Sequence, residues 1–467
     1  MAEPSNGTSN GTTNGTRSNG TRPRSPTRVG VIGTGYVGLT SAVCLASLGH
    51  VVHGTDIDPG RVAALRRGHT VLHEPGLPEL LADGLDVGRL SFGTDPGDVA
   101  GAAVVLLCLP TPAAPDGSAD LGPLDSVLPS LRERLAPGAV LVTKSTVPVG
   151  TTDRLAQRLG RDDVSVVSNP EFLREAHAVY DFLHPHRIVI GARCDRAGDR
   201  VAGLYDGIDA PLVRTDPPSA EMAKYASNAF LGVKASYVNE LAALCERVGA
   251  DIGDVTATMG LDDRIGPAFL SPGPGWGGPC LPKDSRALVR IAADAGMDLP
   301  SVREALRTNE HQRDRVLGAV HAATGRPLHG LRVGLLGLAF KAGTADLRDS
   351  PALAVADALD AAGAVLTGHD PAVGHADLPH GCPVRACPDP YRMAEDTDAV
   401  VVLTEWPAFR DLDWHRMAAV ARTPVAVDTR NVLDRDVLDR AGVRLYALGT
   451  GAAESRRDAA TCSRAPS

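Results

Sequence analysis

The chain has 467 residues, 43% of them hydrophobic and 22% charged, and a formal net charge of −9; this is an ordinary globular composition, enough for two or three domains at roughly 100–200 residues each. The acidic balance argues against a nucleic-acid partner, and 4% aromatic residues leave little for a base-stacking platform. No stretch approaches the ~18–20 apolar residues that span a bilayer, the N-terminus lacks the apolar core of a signal peptide, and eight scattered cysteines are too few for a disulfide scaffold, so a reduced, cytoplasmic protein without a membrane partner is expected.

In chain order, residues 1–26 are Asn, Gly, Thr, Ser, Pro and Arg with recurring Asn-Gly-Thr units, a composition that cannot bury enough surface to fold and reads as a disordered tail. Residues 27–216 alternate short β-branched runs with helical stretches. Strands are expected at Arg28–Ile32, Val51–Thr55, Val104–Leu109, Val140–Lys144, Val164–Ser168 and Arg187–Ile190, and such alternation implies a parallel sheet covered by helices on both faces. Residues 217–315 form a helical connector. From Ser219 to Glu246 the sequence is rich in Ala, Leu, Glu and Lys without an internal proline, which predicts one long helix. Residues 316–450 return to alternation, with strands near Leu331–Gly337, Val365–His369, Ala399–Leu403 and Val425–Asp428. Residues 451–467 read as a second disordered tail. Two α/β domains joined by a helical connector is the fold class expected. Cys382 and Cys387 lack a second metal-spaced pair, so no metal site is expected.

The first strand runs into Gly33-x-Gly35-x-x-Gly38, and a helix is expected from Leu39 to Leu48. The first glycine permits the tight turn, the second lets backbone approach a pyrophosphate, and the third lets helix and strand pack closely; the phosphates sit on the helix N-terminus. Val51–Thr55 ends in Asp56, an acid placed to hydrogen-bond ribose hydroxyls and to repel a 2′-phosphate, which favours NAD over NADP. A glycine-rich turn in an unrelated α/β domain is the competing reading. Phe269-Leu-Ser-Pro-Gly-Pro-Gly-Trp-Gly-Gly-Pro-Cys-Leu-Pro-Lys-Asp284 is dominated by glycine and proline and is expected to be irregular, a shaped loop near a ligand. Cys280 lies inside it with Lys283 and Asp284 just after, and a nearby ammonium is expected to lower the thiol's pKa. Cys44 and Cys245 fall in helical apolar patterns and read as core. Glu221, Lys224, Tyr225 and Asn228 recur at helical spacing, which puts Lys224 and Asn228 on one face; a solvated face is the ordinary fate of such residues. Asn169–Glu175 and Lys144–Pro148 each follow a strand, where α/β folds place ligand contacts.

Taken together, these segments closely resemble the UDP-glucose dehydrogenase family, within the wider UDP-glucose/GDP-mannose dehydrogenase superfamily. The matching motifs are Gly33–Gly38, Lys144-Ser-Thr-Val-Pro-Val-Gly150, Asn169-Pro-Glu-Phe-Leu-Arg-Glu175, Lys224-Tyr-Ala-Ser-Asn228, Asp263-Arg-Ile-Gly266, Gly277-Gly-Pro-Cys280, Gly337-Leu-Ala-Phe-Lys341 and Asp428-Thr-Arg-Asn431. The resemblance implies two Rossmann-like, doubly wound parallel-sheet domains joined by a long central helix, and NAD-dependent oxidation of a nucleotide sugar from alcohol to acid. It implies Cys280 as nucleophile, Lys224 and Asn228 as stabilisers of oxyanion charge, and Asp284, Thr146 and Glu171 as partners of a water and of proton movement. NAD contacts are implied for Gly33, Gly35, Tyr36, Val37, Gly38, Asp56, Arg61, Thr111, Thr146, Glu175, Lys283 and Arg348. Sugar-nucleotide contacts are implied for Glu171, Phe172, Leu173, Arg174, Lys224, Asn228, the Phe269-Leu270-Ser271-Pro272-Gly273 backbone, Gly277, Lys341 and Arg430. A homodimer through the central helix would bring Arg264 to the neighbouring subunit's substrate. UDP-glucose is the first expectation, TDP-glucose or another nucleotide hexose the next; a two-electron dehydrogenase with a structural Cys280, or a non-catalytic nucleotide-sugar sensor, are the rivals. The chain departs from the family at Leu281 (commonly Phe), Pro279 (a small residue such as Ser), Gly-Pro-Gly-Trp276 (Gly-Phe-Gly-Tyr) and Ala176 (frequently Gly).

Overall fold

The computed structural model describes residues 26–450 except 71 and 115; both expected tails otherwise lie outside the described residues. Two largely parallel sheets organise the chain. The first holds β1 (Arg28–Ile32), β2 (Val51–Thr55), β3 (Leu90–Gly93), β4 (Val104–Leu107), β5 (Val140–Thr143), β6 (Ser165–Ser168), β7 (Ile188–Ala192) and β8 (Leu212–Thr215), in the order β3-β2-β1-β4-β5-β6-β7-β8. The second holds β9 (Arg332–Leu336), β10 (Val365–His369), β11 (Arg385–Ala386), β12 (Ala399–Val402), β13 (Val425–Asp428) and β14 (Arg444–Ala447), in the order β11-β10-β9-β12-β13-β14. Val-Val-Leu-Leu in β4, Val-Leu-Val-Thr in β5 and Ala-Val-Val-Val in β12 are buried throughout, as central strands covered on both faces require. The doubly wound class is as expected, with β6 and β7 as an antiparallel pair.

Sequence periodicity missed β3, β8, β11 and β14. These are short, lie at or near the sheet edges, and in β8 and β11 are largely exposed, so they carry little apolar signal. The long helix runs from Pro217 to Val248, about 48 Å at 1.5 Å per residue. Asp216 caps it by accepting from the Ser219 N–H, two prolines occupy its first turn where no N–H partner is lost, and Gly249 at φ 76° ends it. Its neighbours are the helix Leu281–Asp294 and the helix Pro300–Thr324. Cys44, Cys108 and Cys245 are buried. Among the described residues no helix is long and apolar enough to cross a membrane.

Candidate active site

The glycine-proline loop is tied down from two helices. The Gly273 N–H donates to Asn239 Oδ1 at 2.9 Å, and the Gly273 carbonyl accepts from Gln312 Nε2 at 2.7 Å. Trp276 exchanges two backbone bonds with the Asn309 side-chain amide, and its indole N–H donates to Ser236 Oγ at 2.8 Å. A side chain at Gly232 would meet the Trp276 ring at 3.1 Å, so that glycine makes the room. Lys224, Asn228, Gly232, Ser236 and Asn239 follow one another at three- and four-residue steps, a stripe of small and polar residues on the buried face of the long helix. Sequence reasoning stopped at Asn228; the continuation of that stripe was the legible signal for Ser236 and Asn239, whereas Asn309 and Gln312 carried none.

The loop also locks onto the second α/β domain. The Gly278 N–H donates to the Asp349 carbonyl at 3.2 Å, a Cβ at Gly277 would sit 2.0 Å from that carbonyl oxygen, and Gly278 at φ 82° faces the Phe340 ring. The expectation of irregularity through Asp284 needs correction. Cys280 is the N-cap of the helix Leu281–Asp294, with Pro282 in the first turn, where a missing N–H costs nothing, and the Asp284 N–H returns to the Cys280 carbonyl at 2.9 Å. Cys280 thus stands at the N-terminus of a helix, with its side chain exposed.

Around it stands a charged constellation drawn from three segments. Lys224 Nζ lies 3.0 Å from Glu171 Oε1, both side chains nearly fully buried, and Glu171 Oε2 accepts from the Leu173 N–H at 2.6 Å. Asn228 Nδ2 donates to Asp284 Oδ2 at 2.6 Å, and Lys283 Nζ lies 2.7 Å from Asp284 Oδ1. Phe172 lies beneath two cations, Arg187 at 3.7 Å and Lys224 at 5.3 Å from its ring centroid. Burial works against the Lys224 ammonium, but Glu171, Cys280 and Asp284 outweigh it and hold its pKa above the usual lysine value. The expected lowering of the Cys280 pKa is not found. The thiol is pushed up to about 11, first by the protein packed around it and then by Glu171, with Lys224 and Lys283 pulling the other way. The side chain is walled by protein yet open on one side. The physical reason is burial of the thiol first, and then the carboxylates paired with both ammonium groups, which offset their pull on the sulfur.

The solvated-face reading of the long helix also fails: Glu221, Lys224 and Asn228 are buried. Glu221 lies apart from the constellation and caps the helix Thr151–Leu159, accepting from the Gly150 and Thr152 N–H groups and the Thr152 hydroxyl.

The dinucleotide turn fits its proposed ligand. Gly33 has φ 90°, and its N–H donates to the Thr55 carbonyl at 2.8 Å. A Cβ at Gly38 would lie 1.8 Å from the Gly33 carbonyl oxygen, while one at Gly35 would meet nothing within 4 Å, so that position is free for a ligand's approach. Asp56 accepts from the Thr34 N–H and hydroxyl, both at 2.8 Å, and pairs with Arg61 at 3.0 Å. The Tyr36 hydroxyl is turned away from the turn, onto Glu74 and the Ala176 N–H. The Thr111 hydroxyl donates to the Thr146 carbonyl at 2.9 Å.

From the second domain, Lys341 Nζ donates to the Glu175 carbonyl at 2.6 Å, and Arg430, held by the Leu403 carbonyl and Glu405, lies against Gly273. Arg348 pairs with Asp346 and Glu175. Arg174 makes a two-bond pair with Asp181 through Nε and Nη2, and Leu270 is buried in a small apolar cluster with Val238 and Ile252. Arg264 stands apart on an exposed loop, paired only with Asp262 among the described residues.

Residues 27–209 match the NAD binding domain of the UDP-glucose/GDP-mannose dehydrogenase family, residues 218–311 its central domain and residues 334–435 its UDP binding domain. A UDP-glucose 6-dehydrogenase of Rhizobium meliloti is 42% identical over 436 residues, covering 90% of this chain and 99% of that protein. One of Pseudomonas aeruginosa is 41% identical over 428 residues, covering 87% and 93%. Among solved structures, a UDP-glucose dehydrogenase from Pyrobaculum islandicum superposes with a TM-score of 0.85 at 37% identity over 93% of this chain and 100% of that one. A UDP-D-ManNAc dehydrogenase from Pyrococcus horikoshii gives 0.81 at 27% identity over 91% and 99%.

Proposed function

The chain belongs to the UDP-glucose/GDP-mannose dehydrogenase family and is an NAD-dependent oxidoreductase, and from that premise we propose that it oxidises UDP-glucose at C6 twice, to UDP-glucuronate, with Cys280 as covalent nucleophile. The observation that carries this reading is Cys280 itself, exposed at a helix N-cap and ringed by Lys224, Glu171, Asp284 and Lys283. A two-electron dehydrogenase has no use for a nucleophile there.

NAD, held by the Gly33–Gly38 turn and Asp56, would supply the hydride acceptor for each oxidation. The first oxidation turns the C6 alcohol into an aldehyde. The Cys280 thiol adds across its carbonyl: the S–C bond forms, the π pair moves to oxygen, and the thiol's proton ends on that oxygen as a thiohemiacetal. Trapped in this way, the carbon can lose a second hydride, which gives a thioester. Water then displaces the thiol and leaves the carboxylate. The sum is R–CH2OH, two NAD+ and one water giving R–COO−, two NADH and three protons. Lys224, held in its charged form, and the Asn228 amide, one helical turn on, stabilise the charge that gathers on oxygen. Glu171 fixes the ammonium, and Asp284 holds the amide by its N–H and accepts protons from the water. Lys341 and Arg430 meet the diphosphate as charged partners.

The same reading includes a homodimer. Phe230, Tyr237 and Leu244 are exposed at every seventh position of the long helix, and Leu261, Ile265 and Phe269 are exposed on the loop that Lys234 ties to that helix. An apolar stripe of this kind asks for a partner, and pairing through it would carry Arg264 to the second subunit's substrate. The deciding experiment measures NADH formed per UDP-glucose consumed, with TDP- and GDP-sugars in parallel. Two NADH per sugar is expected; a ratio near one overturns the covalent scheme, and a sugar preferred over UDP-glucose overturns the substrate.

A further inference from the structure

The first sheet reverses direction between β6 and β7. Residues entering β7 therefore stand at the C-terminal end of β6, beside the loop that carries Glu171. Val167 faces Ala192 and Ser168 faces Gly191. Carried past the paired residues, the same register sets position 187 directly opposite position 172, where side chains share a face. The contacts follow it. Asn169 Nδ2 donates to the Val189 carbonyl at 2.8 Å, and the Arg187 guanidinium lies 3.7 Å from the centroid of the Phe172 ring. Arg187 also reaches the long helix. Its Nη2 donates to Ser227 Oγ at 3.4 Å, and Ser227 Oγ donates to the Ala223 carbonyl at 2.7 Å. One guanidinium thus touches the residue after Glu171 and the residue before Asn228. It is half-buried and, among the described residues, pairs with no carboxylate. A guanidinium drawn out of water without a counter-ion is costly, and the aromatic face offsets only part of that cost.

We propose that Arg187 is a positioning residue that staples the Glu171 loop to the long helix and so fixes the Glu171–Lys224 pair and Asn228 relative to one another. The inference rests on the reading of Lys224 and Asn228 as stabilisers of charge on the reacting oxygen. Glu171 and Lys224 come from different segments, a loop and a helix, joined by their own ion pair at 3.0 Å. That pair fixes a distance, and a second tie is needed to fix an orientation. Arg187 supplies it from a third segment, the entry of a sheet strand. A planar guanidinium can lie flat on a ring and donate from its edge at the same time, whereas an ammonium is a point charge that does one or the other. Phe172 is shared by Arg187 and Lys224, the latter 5.3 Å from the ring centroid, so a shift of the ring is felt at the lysine. Displacing an oxyanion donor by about 1 Å costs up to ~10²-fold in rate and much less in ground-state binding.

The test compares NADH formation by Arg187 variants of the full chain with that of the wild type on the same nucleotide sugar. Arg187→Met keeps the length and the packing on Phe172 but loses the charge and the bond to Ser227. It should lower kcat by ~10–10²-fold and leave the KM for NAD and for the sugar within about threefold. Arg187→Ala opens a gap of guanidinium size. Millimolar guanidinium should restore its kcat severalfold, methylammonium should not, and neither should raise the wild-type rate. A purely structural loss would not be rescued in this way. Unchanged kcat in Arg187→Met, a matching rise in the KM for NAD, or a folded Arg187→Ala that guanidinium does not rescue overturns the proposal. If Arg187→Ala fails to fold, the split between kcat and KM in Arg187→Met decides. The covalent scheme fails separately, through a wild-type yield near one NADH per sugar, and the comparison of variant with wild type still decides Arg187.

Discussion

The two α/β domains share one plan and differ in one loop. Strands β3-β2-β1-β4-β5-β6 of the first and β11-β10-β9-β12-β13-β14 of the second run in the same order. Both first strands end in a glycine in the left-handed region, Gly33 at φ 90° and Gly337 at φ 93°, and both glycine N–H groups donate to the last residue of the adjoining strand at 2.8 Å. Both second strands are followed by an aspartate that accepts from the backbone just beyond that glycine, Asp56 from Thr34 and Asp370 from Leu338 and Ala339. The difference comes next. In the first domain a helix starts at Tyr36, close enough to the strand that only glycine fits at position 38. In the second the helix starts at Pro351, and the intervening loop swings out to bring Phe340, Lys341, Arg348 and Asp349 to the cysteine loop and Glu175. A tight turn leaves helix N–H groups facing a phosphate; a long one gives up that cradle and reaches across the cleft. One fold thus serves the cofactor in one copy and the substrate side in the other.

That division can be broken in graded ways. The largest effect is expected at the junction the two domains share. Cys280→Ser should cut formation of the acid by at least ~10³-fold while binding of NAD to the first domain persists; full activity in Cys280→Ala, followed as acid product by mass spectrometry, would falsify the covalent scheme. Lys224→Met should lower kcat by ~10²–10³-fold, since it removes the cation aimed at the oxyanion and leaves Glu171 buried without its partner; a change confined to KM would assign Lys224 to binding alone. Gly277→Ala forces a Cβ against the Asp349 carbonyl and should cost about 1–3 kcal/mol, seen as weaker nucleotide-sugar binding with NAD affinity intact; equal loss of both would mean the domains are not separable in this way. Alkylation of Cys280 by iodoacetamide in the unliganded protein should be slow at pH 7 and rise about tenfold per pH unit toward 11, because the thiolate is disfavoured until the pH reaches the raised value; a plateau below pH 8 would show the two lysines winning after all. The smallest effect is at Ala176, which holds φ 63° where a glycine would be unstrained. Ala176→Gly should stabilise the chain by about 1 kcal/mol in thermal unfolding, and destabilisation there would show that the methyl packing outweighs the strain.

Much of the site was legible in the sequence because its parts are local. Gly33, Gly35 and Gly38 specify a turn by backbone conformation alone, and Lys224 and Asn228 specify a shared face by helical spacing alone. Cys280 announced itself by the loop around it. What was misread depended on groups far apart in the chain. Lys283 looked like an activator of Cys280, but Asp284, positioned by Asn228 from the long helix, takes up its charge. Glu221 looked like part of the same polar face as Lys224 but caps a helix that starts at residue 151. The grip of Asn309 and Gln312 on the loop had no pattern to find, since each is a single polar residue on a helix whose partner lies more than thirty positions earlier.

The sequence by itself determined the two α/β units, the cofactor turn and the candidate cysteine in its glycine-proline loop, since periodicity, glycine placement and residue chemistry are properties of short segments. Only the tertiary structure decided the charge state around Cys280, the locking of its loop against Asp349 and the meeting of Arg187 with Phe172. Burial and the pairing of charges are set by neighbours in space, and in a low-dielectric cleft those neighbours outweigh a residue's own intrinsic preference.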